Sequence, residues 1–316
     1  MEKFSQWRDK GTGIAPFLPH PSSTFSSSES FVLLKILNVL LAVVSCVLKL
    51  VVLIPYTLIH ITFIVPVFGQ TKFRQVSLKV ILLVVGLWFW NIVVDGTRVS
   101  FWRLTNGLAV QKKQSPRHGD IILSNFVSPI DPLIYSALFD PIFAVPDSDG
   151  YIKVMSLFKV SLLAMKLPET SLDKPGSISF IDLQRLATKS HKVIVLFCEG
   201  TTTNGRAMLS PNIKDNLSTR ELAIAGARVF PASVKYLPQD ITTPLPPRSS
   251  IHYILRITSR WKAWNVRLHM GPAMSTDIED LITACTDGIC RLGRIKKVEL
   301  NVKCKSDFAK AWKKNR

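Results

Sequence analysis

Residues 31–68 form an almost unbroken apolar run, interrupted by Lys35, Lys49 and His60. Wound as one helix they would measure about 57 Å, roughly twice the hydrocarbon thickness of a bilayer. That length predicts a hairpin of two membrane-embedded helices turning between Lys49 and Pro55. If both arms cross, Lys49 reaches the far interface at little cost. In a shallow re-entrant loop it would sit in hydrocarbon, at about 3 kcal/mol on insertion scales. Two crossings are therefore expected; a hairpin in the monolayer of a lipid droplet is the other geometry allowed, and a pair of buried core helices is the bland one.

The flanks fit this frame. Residues 1–30 are a polar, Ser-rich arm, and no apolar core follows a short basic start, so the arm is not a signal peptide. Residues 70–75 carry Lys72 and Arg74. Residues 80–94 are uncharged, contain Trp88 and Trp90, and are short for a span. An interfacial or domain-docking helix is expected over 76–95, with a third crossing as the alternative. The net charge of +18 suits the anionic cytoplasmic face of a membrane. No zinc finger, recognition helix or single-strand platform is visible, so no nucleic-acid partner is expected. The five cysteines lack metal-ligand spacing and read as reduced thiols of a cytosol-facing domain.

From about residue 99 the pattern alternates between strand and helix. Strands are predicted at 108–111, 121–125, 143–145, 178–181, 193–197, 229–236, 251–257 and 265–270. Helices are predicted at 131–139, 153–167, 183–189 and 276–292, the last opening with a capping box from Thr276 to Glu279. The expected fold is α/β, a mixed sheet flanked by helices and preceded by the membrane-embedded helical hairpin. The expected units are a polar arm (1–30), the hairpin (31–68), an interfacial helix (69–98), the α/β domain (99–293) and a basic tail (294–316). Residues 291–316 hold ten Lys/Arg against Glu299 and Asp307. They read as a solvated tail or a membrane-surface contact, and Lys313-Lys314 looks like a dilysine retrieval signal of the endoplasmic reticulum.

Two strands end in polar chemistry. Val193-Ile194-Val195-Leu196-Phe197 runs into Cys198-Glu199-Gly200-Thr201-Thr202-Thr203-Asn204-Gly205-Arg206. Asp120-Ile121-Ile122-Leu123-Ser124 runs into Asn125-Phe126-Val127-Ser128-Pro129-Ile130-Asp131. Carboxylates and an Arg at the carboxyl ends of buried strands are a common way to build a site on an α/β sheet. The plain reading is a pair of solvated turns.

Together these stretches resemble the lysophospholipid (glycerolipid) acyltransferase family. Asn125 to Asp131 matches its Asn-His-x-x-x-x-Asp motif except that Phe126 replaces the His. Phe197 to Thr201 matches Phe-Pro-Glu-Gly-Thr except at Cys198. Residues 176–185 are similar to the Gly-x-x-Phe-Ile-Asp-Arg motif, with Phe180-Ile181-Asp182 intact and the Arg displaced to Arg185. Val229 to Val234 is similar to the fourth motif. The opening Trp7 to Pro19 resembles the amino terminus of a fungal branch of the family.

The resemblance implies acyl transfer from acyl-CoA, as co-substrate, to a lysophospholipid. Lysophosphatidic acid and an oleoyl-type donor are expected, without a further cofactor and without a metal. It also implies an endoplasmic reticulum membrane location, lipid droplets included, with a cytosolic domain. A phenyl ring takes no proton, so Asp131 is the candidate base, its pKa raised by burial. Glu199 is the second candidate catalytic carboxylate, with substrate positioning as its other role. Arg206, Arg185 and Lys235 are candidate phosphate ligands, with a surface charge as the plain reading of each. Asn125, Gly200, Thr201 and Asn204 complete the implied substrate-binding set, Gly200 by allowing close backbone approach. The rival expectation is a non-catalytic lipid-binding or assembly protein that keeps the fold.

Overall fold

The computed structural model describes residues 4–20, 32–68, 72–94, 97–99, 115–168, 178–213, 227–247, 249–274 and 281–314. The fold is organised by two short, fully buried strands, β3 (Ile121–Ser124) and β6 (Ile194–Phe197), which pair in parallel. Continuously apolar parallel strands must be covered on both faces. Outside them lie β8 (Val229–Leu237), parallel to β3, and β4 (Ile142–Pro146), parallel to β6. The sheet continues through β9 (Trp264–Met270) and β1 (Leu87–Val94) to an edge at β2 (Thr97–Val99), and ends on the other side at β5 (Ile152–Met155). The order is β2-β1-β9-β8-β3-β6-β4-β5, a mixed sheet.

Ile122, Val195, Phe197 and Phe230 face one side, where α4 (Asp131–Phe139) and α5 (Leu157–Leu163) contribute to the core. Ile121, Ile194, Leu196 and Val229 face the other, under α6 (Phe180–Lys189) and α8 (Leu281–Gly293). Ser124 pairs with both Phe197 and Ala232, so β3 and β6 end level with the middle of β8. The loops after β3 and β6 therefore meet the second half of β8.

The apolar run does not turn between Lys49 and Pro55 and makes no hairpin of its own; it forms one helical arm, and a later segment forms the other. α1 (Val32–Ile59) continues through Pro55, a wide turn at His60–Ile64 and α2 (Val65–Phe68). The return arm is α3 (Lys72–Val85), which packs back on α1. Lys49 sits inside α1 because its ammonium donates to the carbonyls of Val85 (3.3 Å) and Arg260 (2.5 Å). Ser45 donates to the carbonyls of Thr258 and Arg260, at the end of α7 (Ser250–Thr258). These partners are far away in sequence, which is why the lysine reads locally as a turn. Most of the apolar surface of α1 remains exposed, and Lys35–Val67 is long and apolar enough to cross a membrane.

Four further expectations are corrected. The helix over 76–95 stops at Val85, where Gly86 (φ +117) turns the chain into β1. Its Trp, Phe, Ile and Val residues suit a pleated strand. Residues 180–181 of the predicted strand 178–181, and all of 251–257, are helical, not extended. Phe180, Leu183 and Ala187 bury one helical stripe, and Tyr253 and Ile257 another, while the Ser249 hydroxyl accepts from the His252 amide as an N-cap. Ile251, Ile254 and Leu255 are exposed, so α7 is apolar on two sides and its pattern resembles a buried strand. Residues 152–155 form β5 because Asp147 accepts from the amides of Asp149 and Tyr151, making a hairpin turn after β4. The predicted strand at 108–111 and the capping box at 276–279 lie outside the described residues.

The basic tail folds. β10 (Lys296–Val298) pairs with β7 (Ala207–Leu209), and α9 (Val302–Lys314) buries Val302, Lys305, Phe308 and Ala309. Phe4 and Trp7 of the amino-terminal arm pack against Phe308, each at 5.5 Å between ring centres. Both ends of the described chain thus converge on the segment after β6.

Candidate active site

Asp131 opens α4 and is fully buried. Its Oδ2 accepts from the amides of Val127 (2.8 Å) and Ser128 (3.0 Å), and its Oδ1 accepts from the Tyr236 hydroxyl. Burial pushes its pKa up to about 7 against these three donors. Glu199 follows β6 and is equally enclosed. Its oxygens accept from the amides of Phe126 (3.1 Å) and Leu209 (3.0 Å), tying the loop after β3 to β7. Burial pushes it up to about 8, opposed by those amides and by nearby Lys305.

Phe126 stands where the resemblance calls for a histidine. Its ring is buried and stacked on Phe197, with 4.4 Å between ring centres. Phe197 in turn stacks on Phe143. A histidine here would have to bury polar nitrogens in this aromatic layer, which costs free energy without a partner. His118 and His191 lie against each other before β3 and β6, at the opposite ends of those strands.

The predicted substrate-binding residues divide. Gly200 has φ +66, and a Cβ there would lie 2.7 Å from the Pro146 carbonyl oxygen, so only glycine fits. Its amide is committed to the Phe197 carbonyl, closing the turn. Thr201 accepts from the Lys305 ammonium (2.9 Å). Asn204 donates to the carbonyls of Ala15 (2.8 Å) and Leu18 (3.0 Å), and its own amide donates to the Pro16 carbonyl (2.9 Å). It bolts down the amino-terminal arm. Arg206 is exposed at the end of this loop. Asn125 is buried and spends its side chain on Val234, donating to the carbonyl and accepting from the amide. Arg185 is exposed on α6 and pairs with Asp182, away from both carboxylates. Lys235 points to the face of β8 opposite Tyr236, so it does not join Asp131. Residue type and position in the sequence carried no information on the directions of these side chains.

Two residues were missed. Tyr236 ends the alternating set Phe230, Ala232, Val234 and Tyr236, which faces the loop after β3. Lys305 is buried on α9, its ammonium donating to the Thr201 hydroxyl, the Thr202 carbonyl (2.6 Å) and the Thr202 hydroxyl (2.9 Å). Burial lowers its pKa to about 7, against the opposing pull of Glu199. Its signal was the stripe Val302, Lys305, Phe308 and Trp312 at helical spacing. Cys198, by contrast, is no activated thiol, since burial and the neighbouring Glu199 hold its pKa well above the ordinary value.

The fold is an α/β domain whose two enclosed carboxylates lie at the ends of adjacent parallel strands. No family model matches the chain. Over nearly its whole length it is similar to two yeast proteins. One, from Schizosaccharomyces pombe, is provisionally named a lysophosphatidic acid:oleoyl-CoA acyltransferase and is 29% identical over 327 residues, 99% of each chain. The other, lysophosphatidic acid:oleoyl-CoA acyltransferase 1 of Saccharomyces cerevisiae, is 26% identical over 329 residues, 99% of this chain and 97% of that one. The chain is thus similar, over almost all of its length, to two proteins named as lysophosphatidic acid:oleoyl-CoA acyltransferases. Among solved structures it is similar to the 1-acyl-sn-glycerophosphate acyltransferase PlsC of Thermotoga maritima, with a TM-score of 0.41, 15% identity, and 82% and 96% of the two chains covered.

Proposed function

We propose that the protein transfers an acyl group from an oleoyl-type acyl-CoA to lysophosphatidic acid, giving phosphatidic acid. The observation that carries this reading is a likeness running end to end along two proteins named for that reaction. In the reaction the acceptor hydroxyl adds to the thioester carbonyl while its proton passes to the Asp131 carboxylate. The tetrahedral intermediate then expels the CoA thiolate, which takes the proton back from Asp131. A carboxyl with a pKa near 7 is matched to both steps at neutral pH. Glu199 and Lys305 hold the two loops in register. Arg206 is the candidate phosphate ligand on the loop that carries Glu199. Because Asp131 is closed off from solvent, an acceptor hydroxyl must open a path to it on binding.

That closure also supports a second reading, a non-catalytic lipid-binding or assembly protein whose carboxylates only organise loops. Purified protein with labelled oleoyl-CoA and a panel of lysophospholipids separates the two. Labelled phosphatidic acid is the expected product; no acylated product with any acceptor would favour the second reading.

The protein is membrane-associated in this proposal, through α1 and the exposed apolar residues of α3 and α7. The arm is bonded to Asn204 and packed on α9, so it lies on the same side as the domain. A single crossing by α1 would separate them. Ser45 and Lys49 are docked on the domain, so the hairpin is read as entering one leaflet and returning, rather than crossing twice. Such a hairpin suits both the endoplasmic reticulum bilayer and a lipid-droplet monolayer. Tags at both termini are expected to be cleaved by protease added to intact microsomes, and a protected tag at either end would contradict this topology.

A further inference from the structure

Asp131 meets three hydrogen-bond donors among the described residues, and they are not equivalent. Two are amides of its own loop, and both fall on Oδ2. They would follow the carboxylate if α4 or the loop shifted. The third, the Tyr236 hydroxyl, comes from β8, where Tyr236 pairs with Val266 of β9, and takes Oδ1. The Tyr236 ring is anchored beside Trp264, with 5.8 Å between ring centres. The two amides tie Oδ2 to its own loop; the donor from the sheet ties Oδ1 to a different element, so turning the carboxylate about Cβ–Cγ would break bonds on both sides. Phe126, the residue one turn of the loop away, is committed to Phe197 and offers no donor from its side chain.

We propose that Tyr236 is a positioning residue for Asp131, its hydroxyl holding Oδ1 and fixing the plane of the carboxylate. This rests on the proposed acyl transfer with Asp131 as the proton acceptor. The other titratable groups that bear on Asp131 are Tyr135 from its own helix, Tyr253 from α7, which meets the Ser128 hydroxyl at 3.0 Å, and Glu199 after β6. None of them is a hydrogen-bond donor to the carboxylate. Tyr236 is therefore the side chain whose loss changes the hydrogen bonding of the ionised form directly, and the change has a sign. A donor to a carboxylate favours its charged form, so removing the donor raises the pH at which the base becomes available.

The test is the pH profile of kcat/KM for the full-length protein in detergent, with oleoyl-CoA and lysophosphatidic acid. Tyr236→Phe removes only the hydroxyl. At pH 7 kcat/KM is expected to fall about ten- to a hundredfold, with the acid limb displaced upward by about one to two pH units, the span of a hydrogen bond to a charged group. Tyr135→Phe, which removes a phenol bonded to Ser124 and not to Asp131, is expected to leave the limb in place. An unmoved limb in Tyr236→Phe, even with a lower rate, would mean that Tyr236 only fills space and would overturn the proposal. If Tyr236→Phe does not fold, 3-fluorotyrosine incorporated at position 236 replaces it. This stronger donor is expected to move the limb downward, and no movement overturns the proposal equally. A wild type that makes product with no acid limb near neutrality removes Asp131 as the base, and the proposal with it; a wild type that makes no product removes the acyl-transfer reading.

Discussion

Asp131→Asn is expected to lose about 10²- to 10⁴-fold in turnover, the usual cost of a missing general base. The amide keeps the volume and can still accept from the Val127 and Ser128 amides. It takes no proton from an acceptor hydroxyl at neutral pH. In the wild type the rate should rise with pH through about 7 as Asp131 ionises. The stability of the fold should respond in the opposite sense. The carboxyl binds its proton more tightly folded than unfolded, so its contribution is full below its ordinary value of 3.8 and is lost as pH rises toward about 7. Asp131→Asn should therefore melt with a weaker pH dependence across that window. Initial rates and thermal melts on the same preparations check both. Full activity in Asp131→Asn would show that the proton goes elsewhere.

Glu199→Ala should be the most damaging to the fold. It leaves the amides of Phe126 and Leu209 buried without an acceptor, at about 1–3 kcal/mol each. It also removes the carboxylate nearest the buried Lys305 ammonium. A loss of about 2–6 kcal/mol is expected. The backbone partners of Glu199 imply that loss of activity comes with loss of structure. Glu199→Gln, which keeps one acceptor but turns a donor toward the other amide, should fall between. A wild-type melting temperature in Glu199→Ala would mean that these bonds contribute little.

What could be read from the sequence follows a physical line. β3, β6, β8 and β9 were legible because uninterrupted β-branched runs have few other uses, and α4 because its start follows a polar loop. Asp131 and Glu199 were legible because carboxylates at the ends of buried strands are rarely idle. The contacts that define their chemistry were not. Tyr236 lies 105 residues from Asp131, and Asn204 lies 189 from Ala15. Nothing local distinguishes a tyrosine that will meet a carboxylate from one that will fill a core. Asn125 had the right type for a ligand, yet its amide completes a gap in the sheet. Lys49 was misread because its carbonyl partners lie at the end of α3 and just beyond the end of α7, both distant in sequence.

The grip of Lys305 on Thr201 and Thr202 has a consequence for how the protein is made. Lys305 follows Thr201 by 104 residues, so the loop bearing Glu199 lacks this one of its ties throughout the synthesis of that stretch. The helices α1 and α3 precede all of it. Each newly made molecule therefore exists for a time with every motif synthesised and no finished site. A chain truncated before α9 would be caught in that condition, complete in its motifs yet inert.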